Sequence, residues 1–223
     1  MSKLIFWDWT GTLADEAEFD KAVCMTLEEE IAKKRDIPFE TAVEVYQNHL
    51  KKLENTWRWH DYVSHCEELG IDWKYCQEKN LEKLKLVPGA VEILRYARGK
   101  GYKNVLATNA VRKVIDLRVG HAGIGTNFDL VIASSDVEAL KSEGRHFEKG
   151  MEELEGKVTF SFSVGDNPIQ DIRPAQKLGM RAVFCAYGKN LTHYHSDHIS
   201  DNHRILVRSA SRIRKLSDIK YII

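Results

Sequence analysis

Residues 3–12 of the chain read KLIFWDWTGT. Within this stretch, the apolar residues 4–7 form a short run that stops at Asp8, and a Thr-Gly pair follows closely. A run of this length, ended by a charged residue and a turn signal, predicts a buried β-strand over residues 3–7. Asp8 is then the first residue beyond the end of that strand.

Strand and helix signals alternate after the Pro88-Gly89 break. The predicted strands cover 104–107, 129–133, 158–164 and 181–186, and the predicted helices lie near 89–98, 110–120, 146–155 and 168–178. Such alternation implies a mostly parallel sheet with helices on both faces. We therefore expect an α/β fold that is built on a Rossmann-like sheet.

The segment 15–87 carries only helical signals. Apolar residues recur every four positions at Phe19, Val23, Leu27 and Ile31, a second stripe contains Val43, Tyr46 and Leu50, and further helices are predicted near 57–69 and 72–85. Because this segment separates the first strand from the others, we expect an inserted all-helical domain at 15–87 and a core made of 1–14 and 88–223. The insert has a net charge of −6 and residues 88–223 one of +6, which suggests two bodies that can close on each other.

Composition narrows the class of protein. The chain has 223 residues, of which 43% are hydrophobic and 30% are charged, so a disordered chain is excluded. With 33 basic and 33 acidic side chains, no overall field favours nucleic acid or an anionic membrane. No apolar run reaches the ~20 residues of a membrane helix. Its four cysteines have no CxxC spacing, so we expect reduced thiols. We also expect a soluble, cytoplasmic protein that is a monomer or a homodimer.

Polar residues follow each predicted strand. They are Asp8 and Thr10 after the first, Thr108 and Asn109 after the second, Ser134, Ser135, Asp136 and then Lys141 after the third, and Asp166, Asn167 and Asp171 after the fourth. Ligands of an open parallel sheet bind beyond the carboxyl ends of its strands. The sequence therefore predicts that carboxylates, a lysine and short polar donors meet at one sheet edge.

This set of side chains has a specific chemistry. Clustered carboxylates repel one another unless a cation lies among them, and hard oxygen ligands favour Mg²⁺. A lysine ammonium would neutralise further charge on a bound phosphoryl group. Held ionised by the metal and by Lys141, Asp8 is a candidate nucleophile.

In the order and spacing of these motifs, the chain resembles the haloacid dehalogenase superfamily over about residues 3–187. The first family motif, DxDGT, is DWTGT here; the second is Thr108; the third is Lys141; and the fourth, GDxxxxD, runs from Gly165 and Asp166 to Asp171. Most members of that superfamily are phosphatases, and helices inserted after the first motif form a cap over the active site. The resemblance therefore implies that residues 15–87 are such a cap.

The resemblance also implies a role for each matching residue. Asp8 would attack phosphorus and form an aspartyl phosphate, Lys141 would neutralise both groups, and Thr108 with Asn109 would hold phosphoryl oxygens. The expected Mg²⁺ ligands are Asp8, the backbone carbonyl of Thr10, Asp166 and Asp171, the last directly or through water. A small phosphorylated metabolite is the expected substrate.

One position departs from the family pattern. Thr10 stands where most family phosphatases have a second aspartate, which protonates the leaving group and later activates water. Such acid–base help is worth about 10²–10⁴-fold, so slow turnover is expected. A phosphonatase that uses Lys51 or Lys52 as a Schiff base, a mutase, and a phosphate-ester-binding relative without turnover remain alternatives.

Other polar clusters carry weaker predictions. Arg58 and His60 could face the cleft from the cap and contact the non-phosphate end of the substrate. His193, His195 and His198 fit an HxHxDH metal pattern, but we interpret them as a surface loop because only 25 residues follow. The arginine-rich tail alternates with apolar residues, which favours a packed terminal strand and helix over a nucleic-acid site.

Overall fold

The computed structural model describes residues 1–187 and 207–223. In chain order, the strands are β1 (Lys3–Trp7), β2 (Ala14–Asp15), β3 (Lys85–Leu86), β4 (Tyr102–Thr108), β5 (Leu130–Ala133), β6 (Phe162–Gly165), β7 (Arg181–Cys185) and β8 (Ser211–Ile213). Six of them form a sheet in the order β5-β4-β1-β6-β7-β8, in which all neighbours are parallel. The predicted α/β fold with a parallel sheet is thereby confirmed.

Helices cover both faces of this sheet. They are α1 (Ala17–Arg35), α2 (Phe39–Lys51), α3 (Tyr62–Leu69), α4 (Trp73–Glu78), α5 (Ala90–Gly99), α6 (Arg112–His121), α7 (Ser134–Val137), α8 (Arg145–Glu153) and α9 (Arg173–Lys177). Successive residues of β1 point to opposite faces. Ile5 and Trp7 join the hydrophobic core under α5 and α6, whereas Leu4 and Phe6 join the one under α8 and α9. Burial on both faces explains why this strand is apolar throughout.

Helices α1–α4 lie between β2 and β3 along the chain. The predicted stripe on α1 is buried over its whole length: Phe19 and Val23 pack in the core of the sheet, while Leu27 and Ile31 pack in a second core with α2, α3 and α4. On α2, the buried residues are Ala42 and Tyr46. Of the predicted stripe, Tyr46 is buried and Leu50 packs against the same core, whereas Ala42 takes the place predicted for Val43.

Several predicted element bounds were wrong. The segment 15–87 contains β2 and β3, which pair antiparallel; strands of two residues are too short for a sequence period. Asp61 interrupts the predicted 57–69 helix, because its Oδ1 accepts a hydrogen bond from the Ser64 amide at 3.1 Å and caps α3. Residues 158–160 form a 3₁₀ turn, so β6 begins only at Phe162.

Two further sequence expectations can be compared with the described residues. All four cysteines are free, as predicted. Near the end of the chain, β8 is followed by a 3₁₀ helix at Leu216–Tyr221, which matches the predicted terminal strand and helix. Across 1–187 and 207–223, no helix is both long and apolar enough to cross a membrane.

Candidate active site

Asp8 lies just beyond β1, at the centre of the carboxyl edge of the sheet. The Asp8 amide donates a hydrogen bond to the carbonyl of Val164 on β6 at 2.9 Å, which extends the strand pairing to this residue. Its Oδ2 accepts a hydrogen bond from the Thr12 hydroxyl at 3.2 Å, and 8% of the residue is exposed. The carboxylate is therefore fixed in place but accessible.

Lys141 connects Asp8 to the motif that follows β6. Its buried ammonium donates hydrogen bonds to Oδ1 of Asp8 and, at 2.6 Å, to Oδ1 of Asp171. The Lys141 amide donates to Oδ1 of Asn109 at 2.9 Å, which ties the lysine to the end of β4. Burial alone would lower the pKa of Lys141, but the Asp171 and Asp8 carboxylates raise it above its usual range. The lysine is therefore charged.

Three carboxylates converge at this edge. Oxygen atoms of Asp8, Asp166 and Asp171 lie within 4.8 Å of one another. Burial, together with the neighbouring carboxylates, raises the pKa of Asp166 well above its ordinary value. Burial and Asp8 also raise the pKa of Asp171, to about 7, although Lys141 opposes that shift. A divalent cation would relieve this repulsion, and an all-oxygen ligand set fits Mg²⁺.

Two glycines allow the carboxylates to approach the backbone. Gly11 has a φ of +76°, and a Cβ there would lie 2.2 Å from Oδ2 of Asp166. A Cβ on Gly165 would lie 2.1 Å from the carboxyl carbon of Asp171. Any larger residue at either position would displace a carboxylate of the cluster.

The end of β4 supplies the polar residues that were predicted to hold phosphoryl oxygens. Thr108 is buried, and its hydroxyl oxygen accepts a hydrogen bond from the Ala110 amide at 3.1 Å. Its carbonyl lies 3.1 Å from Nε2 of His146, a fully buried residue of α8. Thr108 and Asn109 both line the cavity above Asp8.

The side chain of Thr10 points toward a carboxylate that the sequence analysis missed. The Thr10 hydroxyl donates a hydrogen bond to Oε2 of Glu16 at 2.6 Å. Glu16 is fully buried, and its Oε1 accepts a second bond from the Trp9 indole at 2.7 Å. Burial raises the pKa of Glu16, and Arg118 opposes that shift. In the sequence Glu16 resembles any acidic residue near the start of a helix, so no signal marked it.

Arg118 of α6 is the second missed residue. Its Nη1 lies 3.1 Å from both carboxylate oxygens of Glu16, and its Nη2 lies 3.2 Å from Asp20 on α1. Its Nε donates to Gln77 on α4 at 3.1 Å. These partners are far from Arg118 in the sequence, so only the folded chain brings them together.

A cavity of about 280 Å³ lies above the cluster. It is lined by Asp8, Thr10, Asp20, Val23, Cys24, Tyr46, Leu50, Trp59, His60, Tyr62, His65, Thr108, Asn109, Ala110, Val114, Arg118, Lys141, Asp166, Asn167 and Gln170. Burial, with help from the positive charge of Lys141, lowers the pKa of His60 to about 4. His60 therefore faces the cavity as a neutral imidazole.

Not every predicted site residue reaches this cavity. Arg58 does not line it: its side chain is 51% exposed and lies 3.6 Å from Glu68. Lys51 and Lys52 are also exposed and lie outside the lining. Asp171 lies behind Lys141, with Oδ2 accepting from the Asn167 amide at 3.0 Å. The histidines at 193, 195 and 198 fall outside the described residues.

Comparison with known proteins adds independent information. The family model for haloacid dehalogenase-like hydrolases matches residues 2–179. A glyceraldehyde 3-phosphate phosphatase of Pyrococcus abyssi is 27% identical over 203 residues, which are 85% of this chain and 83% of that protein. A phosphoserine phosphatase of Thermus thermophilus is 33% identical over 103 residues, 46% of this chain and 41% of that protein, so this match spans less than half of the relative.

Solved structures show the same fold. A HAD phosphatase from Thermococcus onnurineus superimposes with a TM-score of 0.81 at 23% identity, covering 99% of this chain and 97% of that one. A 2-haloacid dehalogenase from Pseudomonas syringae has a TM-score of 0.68 at 20% identity, with coverage of 100% and 98%. Because the family model covers most of the sequence, the chain belongs to the haloacid dehalogenase-like hydrolases.

Proposed function

We propose that this chain is a magnesium-dependent phosphohydrolase that acts on a small phosphorylated metabolite through an aspartyl-phosphate intermediate. The observation that carries the proposal is the buried ammonium of Lys141, which donates to both Asp8 and Asp171. Asp166 completes a cluster of oxygen ligands within 4.8 Å. Relatives named as phosphatases support the same reaction class.

In the first chemical step, a carboxylate oxygen of Asp8 attacks phosphorus and the bond from phosphorus to the leaving oxygen breaks. The leaving oxygen takes up a proton from solvent water, and the phosphoryl group stays on Asp8 as a mixed anhydride. The Thr108 hydroxyl and the polar groups of Asn109 bind the phosphoryl oxygens, and Lys141 neutralises their charge. A Mg²⁺ held by Asp8, the Thr10 carbonyl, Asp166 and Asp171 would supply further charge neutralisation.

In the second step, water attacks phosphorus and Asp8 leaves as a carboxylate, which regenerates the site. Position 10 offers no carboxylate to accept a proton from this water, and the Thr10 hydroxyl already donates to Glu16. We therefore expect slow turnover, with breakdown of the aspartyl phosphate as the slow step for esters of acidic alcohols.

Residues 15–87 would act as a cap that excludes water and macromolecules. The 3₁₀ turn at Trp57–His60 supplies two cavity residues, Trp59 and His60. Enclosure in about 280 Å³ favours a small metabolite over a protein substrate. Four free thiols, of which Cys66, Cys76 and Cys185 are buried, are compatible with the cytoplasmic location that we propose.

The test is phosphate release from p-nitrophenyl phosphate and a panel of phosphorylated metabolites, with Mg²⁺ and with EDTA. We expect Mg²⁺-dependent release by the wild type and none by Asp8→Asn, since the amide cannot act as the nucleophile. Asp166→Asn should require a higher Mg²⁺ concentration for half-maximal rate because an anionic ligand is lost. Asp116→Asn, on the exposed side of α6, is the matched control.

Activity of Asp8→Asn within a few-fold of the wild type would contradict the nucleophile assignment. An unchanged Mg²⁺ requirement in Asp166→Asn would place the metal elsewhere. Saturable binding of a phosphate ester without any turnover would instead favour the binding-only alternative.

A further inference from the structure

We propose that the cavity selects phosphate esters whose leaving group is uncharged and rejects esters that carry a carboxylate, because the arginine that could bind such a group is already neutralised inside the protein. This inference rests on the proposed function and extends it to the class of substrate. It is carried by the charged and polar groups of the cavity wall.

Among the described residues that line the cavity, the permanently cationic side chains are Lys141 and Arg118. Lys141 contacts two carboxylates at the phosphoryl end of the cavity, Asp8 and Asp171. Its charge is therefore already paired with these carboxylates, beside the site where the phosphoryl group would bind. Arg118 is the remaining candidate for an anionic group at the other end of the substrate.

All three nitrogens of the Arg118 guanidinium already have partners inside the protein. Glu16 binds Nη1 with both oxygens at 3.1 Å, Asp20 lies 3.2 Å from Nη2, and Gln77 accepts from Nε at 3.1 Å. The Arg118 side chain is 10% exposed. A substrate carboxylate would have to displace one of these anions or be buried without a positive partner, which is costly.

The two histidines of the wall do not replace that charge. Nε2 of His65 lies 3.1 Å from the Trp59 carbonyl, and Nδ1 lies 3.0 Å from Nε2 of His49, so both ring nitrogens are engaged. Burial lowers the pKa of His65 and of His60. Both rings are therefore neutral near pH 7 and suit hydroxyl or carbonyl groups rather than anions.

Apolar or aromatic side chains line much of the rest of the cavity, beside the polar Asp20, Asn167 and Gln170; they are Val23, Tyr46, Leu50, Trp59, Tyr62 and Val114. Such a surface favours the carbon skeleton of a neutral alcohol, polyol or aldehyde, and the neutral polar side chains of the lining can form hydrogen bonds with its hydroxyl or carbonyl groups. The substrate class that this wall fits is therefore a small phosphate monoester with a neutral alcohol, polyol or aldehyde as its organic part.

The test compares two esters of similar size, 2-hydroxyethyl phosphate and phosphoglycolate, at saturating Mg²⁺. We expect kcat/KM of the wild type to be at least about tenfold higher for the neutral ester. Asp20→Asn removes one of the two carboxylates that pair with Arg118, so that the guanidinium can bind a substrate carboxylate. The ratio of the two kcat/KM values should then fall about tenfold, since a hydrogen bond between charged groups has roughly that effect. Asp116→Asn, which removes an acid from the same helix outside the cavity, should leave the ratio unchanged.

Equal or faster hydrolysis of phosphoglycolate by the wild type would overturn the proposal. A folded Asp20→Asn that keeps the wild-type ratio would overturn the role of the Arg118 pairing. Failure of the phosphatase function would be recognised separately, as absence of phosphate release from every ester. In that case, calorimetric binding of the two esters to Asp8→Asn still decides the inference: tighter binding of the neutral ester supports it, and equal or weaker binding contradicts it.

Discussion

At the scale of single residues, Thr10 carries the main departure from the family pattern. Its hydroxyl donates to Glu16 at 2.6 Å, so the side chain stabilises a buried carboxylate instead of facing the leaving group. The sequence itself shows a threonine and not an aspartate at position 10. It could not predict the direction of the hydroxyl, because Glu16, Trp9 and Arg118 meet there only after folding.

Thr10→Val tests this interpretation. Valine matches threonine in shape but removes the donor to a buried carboxylate, so the free energy of unfolding should fall by about 1.5–3 kcal/mol. The rate at which 2-hydroxyethyl phosphate, whose leaving alkoxide needs a proton, phosphorylates Asp8 should stay within about tenfold of the wild type, because loss of a general acid would lower this rate by about 10²–10⁴-fold. Urea denaturation and rapid-mixing kinetics measure the two quantities, and Thr10→Ser, which keeps the hydroxyl, is the control.

The opposite pattern would contradict this role. If Thr10→Val is as stable as the wild type but its Asp8 becomes phosphorylated a hundredfold more slowly, the hydroxyl takes part in the chemical step.

At the scale of elements, His146 links α8 to the end of β4. Its Nε2 lies 3.1 Å from the Thr108 carbonyl, while its Nδ1 is buried without a partner. Burial, with the positive charge of Lys141, lowers the pKa of His146 to about 3, although the Thr108 carbonyl and Asp136 oppose this shift. In the folded protein this imidazole therefore stays neutral at pH values well below 6.5, the ordinary pKa of histidine.

This depressed pKa has a definite sign in the pH dependence of stability. The unfolded chain binds a proton at His146 as the pH falls below about 6.5, and the folded chain does not. The contribution of His146 to the free energy of unfolding is therefore full above pH 6.5. It is lost on acidification, at up to about 1.4 kcal/mol per pH unit down to about pH 3.

We expect His146→Gln to lack this pH-dependent contribution. Its free energy of unfolding should therefore fall less steeply than that of the wild type as the pH is lowered. The measurement is urea denaturation between about pH 7 and pH 4. His121→Gln, at the exposed end of α6, is the control. Parallel pH profiles for the wild type and His146→Gln would contradict the assignment.

Element types were more predictable than element ends. Every strand of the sheet predicted from the sequence is present, because short apolar runs and their alternation with helices reflect burial on both faces. The errors came from local hydrogen bonds, as at Asp61, which caps α3 and breaks the predicted helix. β2 and β3 were missed because their pairing joins residues about 70 positions apart.

At the scale of the whole molecule, the sequence located the carboxylate cluster at the sheet edge better than the wall of the cavity above it. Asp8, Lys141, Asp166 and Asp171 each follow a strand or lie close after one, and the rule that ligands bind at carboxyl edges brought them together. Their convergence in the structure agrees with that rule.

The cavity wall depends on contacts between distant helices instead. Arg118 of α6 reaches Asp20 on α1 and Gln77 on α4. Arg58 shows the opposite case. It was predicted to face the cleft from the inserted segment, but its side chain is exposed and lies near Glu68. Residue type alone does not tell which cation faces the cavity and which faces the solvent.

The central claim is that Asp8 carries the phosphoryl group during turnover. The most direct measurement mixes the enzyme with p-nitrophenyl phosphate and Mg²⁺, quenches in acid after one turnover, and maps the modified peptide by mass spectrometry. We predict one phosphoryl group on Asp8, formed in a burst that approaches one equivalent of p-nitrophenol and followed by a slow steady rate, because position 10 lacks a carboxylate that could act as the base for water. Turnover that proceeds with no phosphoryl group on Asp8, or with the group on another residue, would contradict the account.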